Sequence, residues 1–575
     1  MVQRVLLLAT GSFVLACAVP SSSSLQRAAS RAETNAAQDG SASVLDVLHV
    51  GPDVIQGEEG PARFAGAVYE AFQTERAFEA VAFADRYYRE PGSDGYEATL
   101  DYLQRGLQEA GYGRKDGFAL EVLEHEGDPG WAPRSAELAL RVDGESVVLH
   151  AFDKEVDRDR TMLPRNAPTA KLEGPIAFDL SDIEEGAIYV TRSPLRRDLL
   201  NRAAMRGAAC VISASLGTYN VDPTGAERHL DAIQYRVLRF TPAVPVAQIS
   251  PRSFERIQAA RQSDPGARLA FECEVVRTQR PIRTLVATLT GSRRPQEAVT
   301  IVSHVQEPGA CDNASGAAGL LESARLMAEL VGSGKLTRPA RSLVFIFGDE
   351  MVQSSIWLES TRLAPVAAIS SDMTGQSREK TGAIALLERM PDPGAVEVLP
   401  PDEHTPWGAS PVEAASLEPN GLNLIARCAL ADVAMLSEEP WETAEHPWEG
   451  GSDHDVFIEK GVPAVLFWHF TDFAYHTSLD RMSHVDPEEM RRTAAAILAT
   501  ALAIADPQAG DLDRYLQCLA AERRLRLEAC EEAEKEALAE LWSTWCTGAR
   551  MWLRDQCLGL TREPATPNES KDEDR

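Results

Sequence analysis

The sequence predicts an α/β fold: a mostly parallel mixed sheet sandwiched by helices, plus a small β-rich insert domain and a C-terminal helical segment. Strand-like and helix-like segments alternate from Arg283 to Asp506, the order that builds a largely parallel sheet. Short strand-like runs dominate residues 131–280, and residues 512–558 are rich in Ala, Leu, Glu and Arg. The 575 residues are 44% hydrophobic and 25% charged, which excludes a disordered, collagen-like or multi-span membrane chain.

The first 60 residues have the pattern of a targeting segment and a tether. Arg4 precedes a short apolar run that ends at Leu15-Ala16-Cys17, and residues 18–60 are rich in Ser, Ala, Gly and Gln. A small residue before Cys at this place resembles a bacterial lipoprotein processing site. Residues 1–17 therefore predict a signal peptide, export to the cell envelope or secretion, and membrane contact through lipid on Cys17. The alternative is an ordinary secretory signal with an incidental cysteine.

Residues 61–130 and 131–280 differ in their periodicity. The first region has apolar residues at helical spacing in Ala77 to Tyr88 and Tyr96 to Gly111, followed by a strand-like run from Phe118 to Leu123. The second region has strand-like runs at Ala136 to Val142, Ser146 to Phe152, Gly186 to Val190, Ala209 to Ser213 and Val244 to Ser250. The second order resembles a protease-associated domain, a β-rich insert of exported peptidases. The alternative is an α/β domain of unknown role.

Residues 281–508 carry the alternating pattern. The predicted strands are Thr284 to Leu289, Ala298 to His304, Ser342 to Phe347, Val366 to Ser371 and Ala464 to Trp468. The predicted helices are Ser315 to Leu330, Gly421 to Met435 and Pro487 to Ile504.

Residues 509–560 predict a helical segment with four cysteines, and residues 561–575 a disordered tail. Because an exported protein can form disulfides, an antiparallel helical hairpin centred near residue 538 would pair Cys518 with Cys557 and Cys530 with Cys546. Neither Gly nor Pro marks a turn at that centre, and Gly548 is the clearer helix breaker.

Acidic and histidine residues stand directly at or after the predicted strand ends. His304 ends one strand, Asp349 and Glu350 follow another, and Asp372 follows a third. Carboxylates and imidazoles that meet at the carboxyl edge of a sheet need a compensating cation. Such mixed oxygen and nitrogen ligands suit a catalytic Zn²⁺ site. A single Asp after a strand is more often a helix cap, so the ordered set carries the argument.

From Arg283 to Pro507 the chain resembles the co-catalytic zinc aminopeptidases of metallopeptidase family 28. The resemblance rests on six motifs in order: Ser303-His304-Val305-Gln306, Asp312-Asn313-Ala314-Ser315-Gly316, Gly348-Asp349-Glu350, Asp372-Met373, Ser452-Asp453-His454 and Tyr475-His476-Thr477. It implies the fold of that family, with residues 61–130 as the N-terminal part of the catalytic domain and the insert between the two parts.

The resemblance also implies roles for individual residues. One zinc ion would be held by His304 and Asp372, the other by Glu350 and His476, with Asp312 between them. A bridging water would be the nucleophile, and the base that accepts its proton is Asp349. Supporting contacts around these ligands are expected from Gln306, Ser452, Asp453, His454 and Tyr475.

Two residues depart from the family pattern. Gln306 stands where an Asp is expected to orient His304, and Asp349 stands where Glu is usual. Loss of an outer hydrogen-bond partner typically costs about 10- to 100-fold in metal affinity or activity. The sequence thus implies two Zn²⁺ ions and peptide substrates, with weaker binding on the His304 side.

Three functions remain open at this point. The first is an exported metallo-aminopeptidase, a hydrolase that acts on peptide bonds. The second is a glutaminyl cyclase-like acyltransferase, whose relatives use one zinc ion, and the third is a non-catalytic lipoprotein of the same fold that binds peptides or a partner.

Charge is distributed unevenly along the chain. The formal net charge is −30, which disfavours nucleic acid and anionic lipid as partners. Residues 391–490 contain 20 acidic residues and three basic ones, Arg427, Lys460 and Arg481. This segment is either a solvated acidic surface or a field that attracts cationic peptide amines. In the second case kcat/KM for a basic peptide falls as salt rises.

Overall fold

The computed structural model describes residues 57–153 and 159–559. The predicted signal peptide with Cys17, nearly all of the tether and the C-terminal tail lie outside these residues. Within them, none of the helices combines the length and the apolar composition that crossing a bilayer requires.

Thirteen α-helices form within the described residues: α1 Ala62–Ala71, α2 Thr74–Ala84, α3 Asp94–Ala110, α4 Arg197–Met205, α5 Pro251–Ser263, α6 Ala314–Gly332, α7 Val352–Ser360, α8 Pro393–Val396, α9 Leu422–Ala434, α10 His454–Glu459, α11 Pro487–Ala505, α12 Asp511–Glu532 and α13 Glu536–Gly559. Side-chain caps fix several starts. Ser93 accepts from Tyr96 N at α3, and Asn313 accepts from Gly316 N at α6.

The strands are β1 Phe118–His125, β2 Gly130–Val142, β3 Glu145–Phe152, β4 Ala170–Ala177, β5 Ile188–Thr191, β6 Cys210–Ser213, β7 Val246–Gln248, β8 Arg268–Thr278, β9 Ile282–Leu289, β10 Arg294–His304, β11 Arg341–Gly348, β12 Ala364–Ser371, β13 Ile384–Glu388, β14 Thr443–His446 and β15 Ala464–Phe470. All the predicted strands form. The sequence analysis did not predict β4, β8, β13 or β14, and the short β13 and β14 place charged and histidine side chains in the interior.

The larger sheet has eight strands in the order β1-β9-β11-β10-β12-β15-β13-β14. Its centre, β11-β10-β12-β15, is parallel, and antiparallel pairs flank it. The β10 segment from Ala298 to His304 is buried along its whole length, as expected for a parallel strand covered on both faces. The mixed α/β fold class is therefore confirmed.

The second sheet has seven strands in the order β3-β2-β8-β4-β5-β6-β7. Its β2, β3, β4 and β8 pair antiparallel, while β4 to β7 run parallel to one another. It encloses a separate apolar core that includes Trp131, Ile188 and Phe271. This sheet accounts for the strand-rich character of residues 131–280.

The C-terminal segment is a helical hairpin of α12 and α13, but its turn is not near residue 538. Ala533 to Lys535 form the turn, with Glu534 at φ 56°, so a non-glycine residue takes the left-handed conformation. Gly548 lies inside α13, where a Cβ would come 2.5 Å from the Pro419 side chain. Glycine therefore permits close packing here and does not break the helix.

The shifted turn changes which cysteines face each other. A centre at Glu534 moves Cys518 out of register with Cys557, so the predicted pairing of these residues is wrong. The Cys518 sulfur lies instead 4.0 Å from that of Cys428 on α9. The cysteine side chains of the described residues are buried thiols.

Buried ion pairs fasten this hairpin to the larger domain. Arg526 of α12 lies 2.9 Å from Asp402, and Glu522 lies 3.0 Å from Arg427 of α9. Arg389, fully buried, joins the same group through Asp402 at 2.6 Å. Several carboxylates of the acidic segment are thus neutralised internally.

Candidate active site

Parallel strand ends bring the predicted acidic and histidine residues to one edge of the larger sheet. His304 at the end of β10 is in register with Gly348 at the end of β11, and Asp349 and Glu350 follow directly. Asp372 follows Ser371 at the end of the neighbouring β12. The carboxyl ends of adjacent parallel strands meet at one edge, which explains this grouping.

The first half of the site surrounds His304, which is 1% exposed. Its Nε2 lies 3.2 Å from Asp372 Oδ1, 3.8 Å from Glu350 Oε1 and 3.9 Å from Asp312 Oδ1. Ser452 Oγ donates to the other Asp372 oxygen at 2.9 Å. The predicted neighbours His304, Asp312 and Asp372 thus form one group that could hold a cation.

The second half surrounds His476. Its Nε2 lies 3.0 Å from Asp312 Oδ2 and 2.8 Å from Glu307 Oε2. Asp312 therefore presents one oxygen to each histidine. Glu307 was not predicted, and the only sequence signal for it is an acidic residue directly after the His304-Val305-Gln306 run.

Glu350 lies on the His304 side, although the resemblance assigned it to His476. Gln306 Oε1 accepts from Glu350 N at 2.8 Å, and Gln306 Nε2 donates to Glu350 Oε2 at 3.1 Å. Gln306 therefore positions Glu350 and makes no hydrogen bond to His304. The Nδ1 atom of His304 is buried without a hydrogen-bond partner.

Two buried aspartates fix the loops that carry the ligand candidates. Asp453 accepts from Met351 N, Gln353 Nε2 and Ser354 Oγ, each at 2.8 Å, and so holds the turn after Glu350. Asp480 accepts from Cys311 N at 2.7 Å and from Asp312 N at 2.9 Å.

Residues of the second sheet region hold the loop of His476. Tyr235 N and Gln234 Nε2 both donate to the His476 carbonyl, at 2.7 and 2.8 Å. Asn220 Nδ2 donates to the Tyr475 carbonyl at 2.8 Å, and the Tyr475 ring stacks on His476 with centroids 4.0 Å apart. The chain following β6 therefore completes this half of the site. An opening beside it is lined by Tyr235, Glu307, Pro308, Gly309, Asp312, His476, Thr477 and Asp480.

His454 belongs to a different buried group. Its Nε2 lies 2.9 Å from Glu388 Oε1, which also accepts from Gly450 N at 2.7 Å. The nearby His446 accepts from Trp468 Nε1 at 2.9 Å, and His469 Nδ1 lies 2.9 Å from the Met373 carbonyl. Protein partners engage both ring nitrogens of His446 and His469, whereas His454 is engaged through Nε2 only and its Nδ1 is buried without a hydrogen-bond partner.

Burial and crowding shift the protonation of the central groups. Desolvation raises the pKa of Asp349 to about 7, against the opposing charge of Arg165. Burial, together with the Asp312 carboxylate, raises the pKa of Glu307 to about 8. Burial opposes the charge of His304, yet the carboxylates of Asp372 and Glu350 hold its pKa well above its ordinary value.

The donor set fits bound zinc. Histidine nitrogens and carboxylate oxygens without thiolate are the ligands of catalytic zinc sites. Asp372 Oδ1 is buried without a hydrogen-bond donor and lies 3.2 Å from His304 Nε2. A buried carboxylate oxygen without a donor this close to an imidazole nitrogen is an arrangement that a shared cation stabilises.

Comparisons with known proteins find similarity over the domain that holds this site. The sequence model of peptidase family M28 matches residues 284–394 and 409–501, whereas no curated protein sequence matches the chain. The peptidase M28 precursor from Shewanella amazonensis SB2B shares the fold, with a TM-score of 0.52 and 18% identity over 78% of this chain and 97% of that one.

Two further solved structures are similar to the chain. An aminopeptidase from Aneurinibacillus sp. strain AM-1 has a TM-score of 0.46 and 18% identity over 77% of this chain and 96% of that one. A zinc aminopeptidase from Bacillus subtilis has a TM-score of 0.49 and 15% identity over 75% of this chain and 94% of that one. The domain at residues 284–394 and 409–501, which contains all the predicted ligand residues, is thus similar to peptidase family M28.

Proposed function

We propose that this chain is an exported zinc-dependent aminopeptidase that removes N-terminal residues from peptides with a dinuclear metal site. The observation that carries the proposal is the position of Asp312, which presents one carboxylate oxygen to His304 and the other to His476. A carboxylate shared in this way is the arrangement by which two ions stand side by side. The match to the peptidase family M28 model supports the peptidase activity, and the histidine and carboxylate donor groups support zinc.

Each residue of the site has a distinct task in this proposal. His304 and Asp372 would hold one ion, and His476 the other, with Asp312 between them. Bound zinc would supply Lewis acidity, which polarises the scissile carbonyl and activates water.

Asp349 is the proposed general base. Its carboxylate would accept the proton of the attacking water and pass it to the leaving amine. A base with a pKa near 7 is suited to both transfers near neutral pH.

The activity is tested with the full chain after zinc loading. We expect release of p-nitroaniline from amino-acid p-nitroanilides, and cleavage of a peptide with a free N-terminus but not of its N-acetylated form. Equal cleavage of both peptide forms would contradict aminopeptidase activity.

Asp349→Asn provides a control that separates chemistry from folding. We expect about a 10²- to 10⁴-fold loss of kcat with unchanged zinc content, because only the base is removed. Unchanged kcat would exclude Asp349 from that role.

The same sample distinguishes the alternatives. One tightly held ion with pyroglutamate formation favours the cyclase-like acyltransferase, and full zinc loading without turnover favours a non-catalytic binding lipoprotein. We further propose that residues 1–17 direct export and that Cys17 carries lipid. Cys17→Ser should then move the chain from the membrane fraction to the soluble fraction, and an unchanged distribution contradicts the anchor.

A further inference from the structure

We infer that Glu307 is a zinc ligand on the His476 side, in the position that the family resemblance gives to Glu350. This inference rests on the proposed dinuclear site and concerns which side chains of this chain complete it. Glu307, Asp312 and His476 form a group whose ligand atoms lie close enough together to hold one ion.

Distances within this group suit a common metal ion. Ligand atoms about 2.0–2.2 Å from a tetrahedral zinc ion stand roughly 3.3–3.6 Å apart. Glu307 Oε2 and Asp312 Oδ2 lie 2.8 and 3.0 Å from His476 Nε2, so a small outward movement of these side chains accommodates the ion. The Glu307 side chain is 13% exposed, and a carboxylate this buried needs a charged partner.

The backbone around Glu307 is fixed by buried arginines. Glu307 has φ 79°, a left-handed conformation that is unusual for a residue with a Cβ. Arg89 donates to the Val305 carbonyl at 2.9 Å and to the Gly309 carbonyl at 2.6 Å, and Arg160 donates to the Pro308 carbonyl at 2.6 Å. These contacts hold the loop in the conformation that directs Glu307 to His476.

Glu350 is engaged elsewhere. Gln306 binds both the backbone N–H and the carboxylate of Glu350, and the Glu350 carboxylate lies 3.8 Å from His304. The Gln306 amide can donate to this carboxylate, whereas an ionised Asp at the same place would repel it. Gln306 thus keeps Glu350 on the His304 side and leaves the place beside His476 to Glu307.

The test measures zinc binding and needs no turnover. Zinc content after dialysis at defined free zinc, and both binding constants, are compared for the wild-type chain, Glu307→Gln and Glu350→Gln. We expect two ions in the wild type. In Glu307→Gln the affinity for one zinc ion should fall by more than the 10- to 100-fold that loss of an outer hydrogen-bond partner typically causes.

A double-mutant cycle assigns the affected ion. In a His476→Ala background, Glu307→Gln should leave the affinity of the remaining ion unchanged, because both substitutions act on the same ion. Glu350→Gln in the same background should lower the affinity for the remaining ion, because Glu350 lies beside His304. The reverse pattern overturns the inference.

Two further outcomes are decisive. If the wild type binds two ions and Glu307→Gln keeps both wild-type affinities, the inference about Glu307 is contradicted but the proposed dinuclear site is not. Fewer than two ions in the wild type contradict the proposed dinuclear site, and the inference falls with it. If Glu307→Gln does not fold, Glu307→Asp replaces it, and retention of both wild-type affinities in that shortened variant overturns the inference equally.

Discussion

The two histidines of the site are held in different ways. His304 is the last residue of a buried strand, and its partner Asp372 directly follows the neighbouring strand. His476 lies in a loop at φ 53°, its side chain is 27% exposed, and residues after β6 bind its carbonyl. One half of the site is therefore part of the sheet, whereas the other is assembled from loops of distant sequence. The second half should depend more strongly on contacts outside the sheet.

The largest expected effect comes from Asp312, which belongs to both halves. Asp312→Asn keeps the shape of the side chain but removes the negative charge shared by both ions. We expect loss of at least one zinc ion and a fall in kcat/KM of about 10³-fold, measured by zinc content and peptide hydrolysis. Retention of two ions and wild-type kcat/KM would show that the halves do not share this residue.

The next effect concerns the turn on the His304 side. Asp453→Ala leaves three donors without this acceptor: the buried side chains of Gln353 and Ser354 and the partly buried N–H of Met351. We expect the free energy of unfolding to fall by about 3 kcal/mol in denaturant titrations. Glu459→Ala, at an exposed position of α10, is the matched control and should change it by less than about 0.5 kcal/mol. Equal values for the two variants contradict this role of Asp453.

The loop half is tested by removing its contact with the second sheet region. Gln234→Ala removes the side-chain donor to the His476 carbonyl, although the Tyr235 N–H remains. We expect the zinc affinity on the His476 side to fall about 10-fold and the affinity on the His304 side to stay unchanged. Gln262→Ala, exposed on α5, serves as the control. An equal loss of zinc affinity on both sides would contradict the different dependence of the two halves on the second sheet region.

The smallest expected effect is that of Gln306→Asp. The substitution removes the amide donor to Glu350 and places two carboxylates side by side, so we expect zinc affinity on the His304 side to fall a fewfold, on the order of 1 kcal/mol. Calorimetric zinc titration measures the change. A gain in affinity would indicate that Asp turns to the unpartnered Nδ1 of His304, as the family pattern implies.

The same contrast explains what could be predicted from the sequence. The end of β10 and the position of Asp372 follow from continuous apolar runs, whose period and length are local properties. The role of Glu307 depends on a left-handed residue and on Arg89 and Arg160, more than 140 residues away in sequence. No local pattern encodes such contacts.

The C-terminal hairpin gives a second example. Its helices are predicted by composition, but its turn contains Glu534 in a conformation that normally favours Gly or Asn. The expected centre of the hairpin, residue 538, therefore lies four residues from the observed centre at Glu534, and the cysteine register shifts with it. Gly548 was expected to break the helix. It instead lies inside α13, where the absence of a side chain permits close packing against Pro419.

The most direct test of the account is a crystal structure of the zinc-loaded chain with anomalous scattering at the zinc edge. The account predicts two peaks about 3.5–4 Å apart on either side of the Asp312 carboxylate, one beside His304 and Asp372 and the other beside His476 and Glu307. A single peak at His304, or a second peak coordinated by Glu350 with Glu307 turned away, would contradict it.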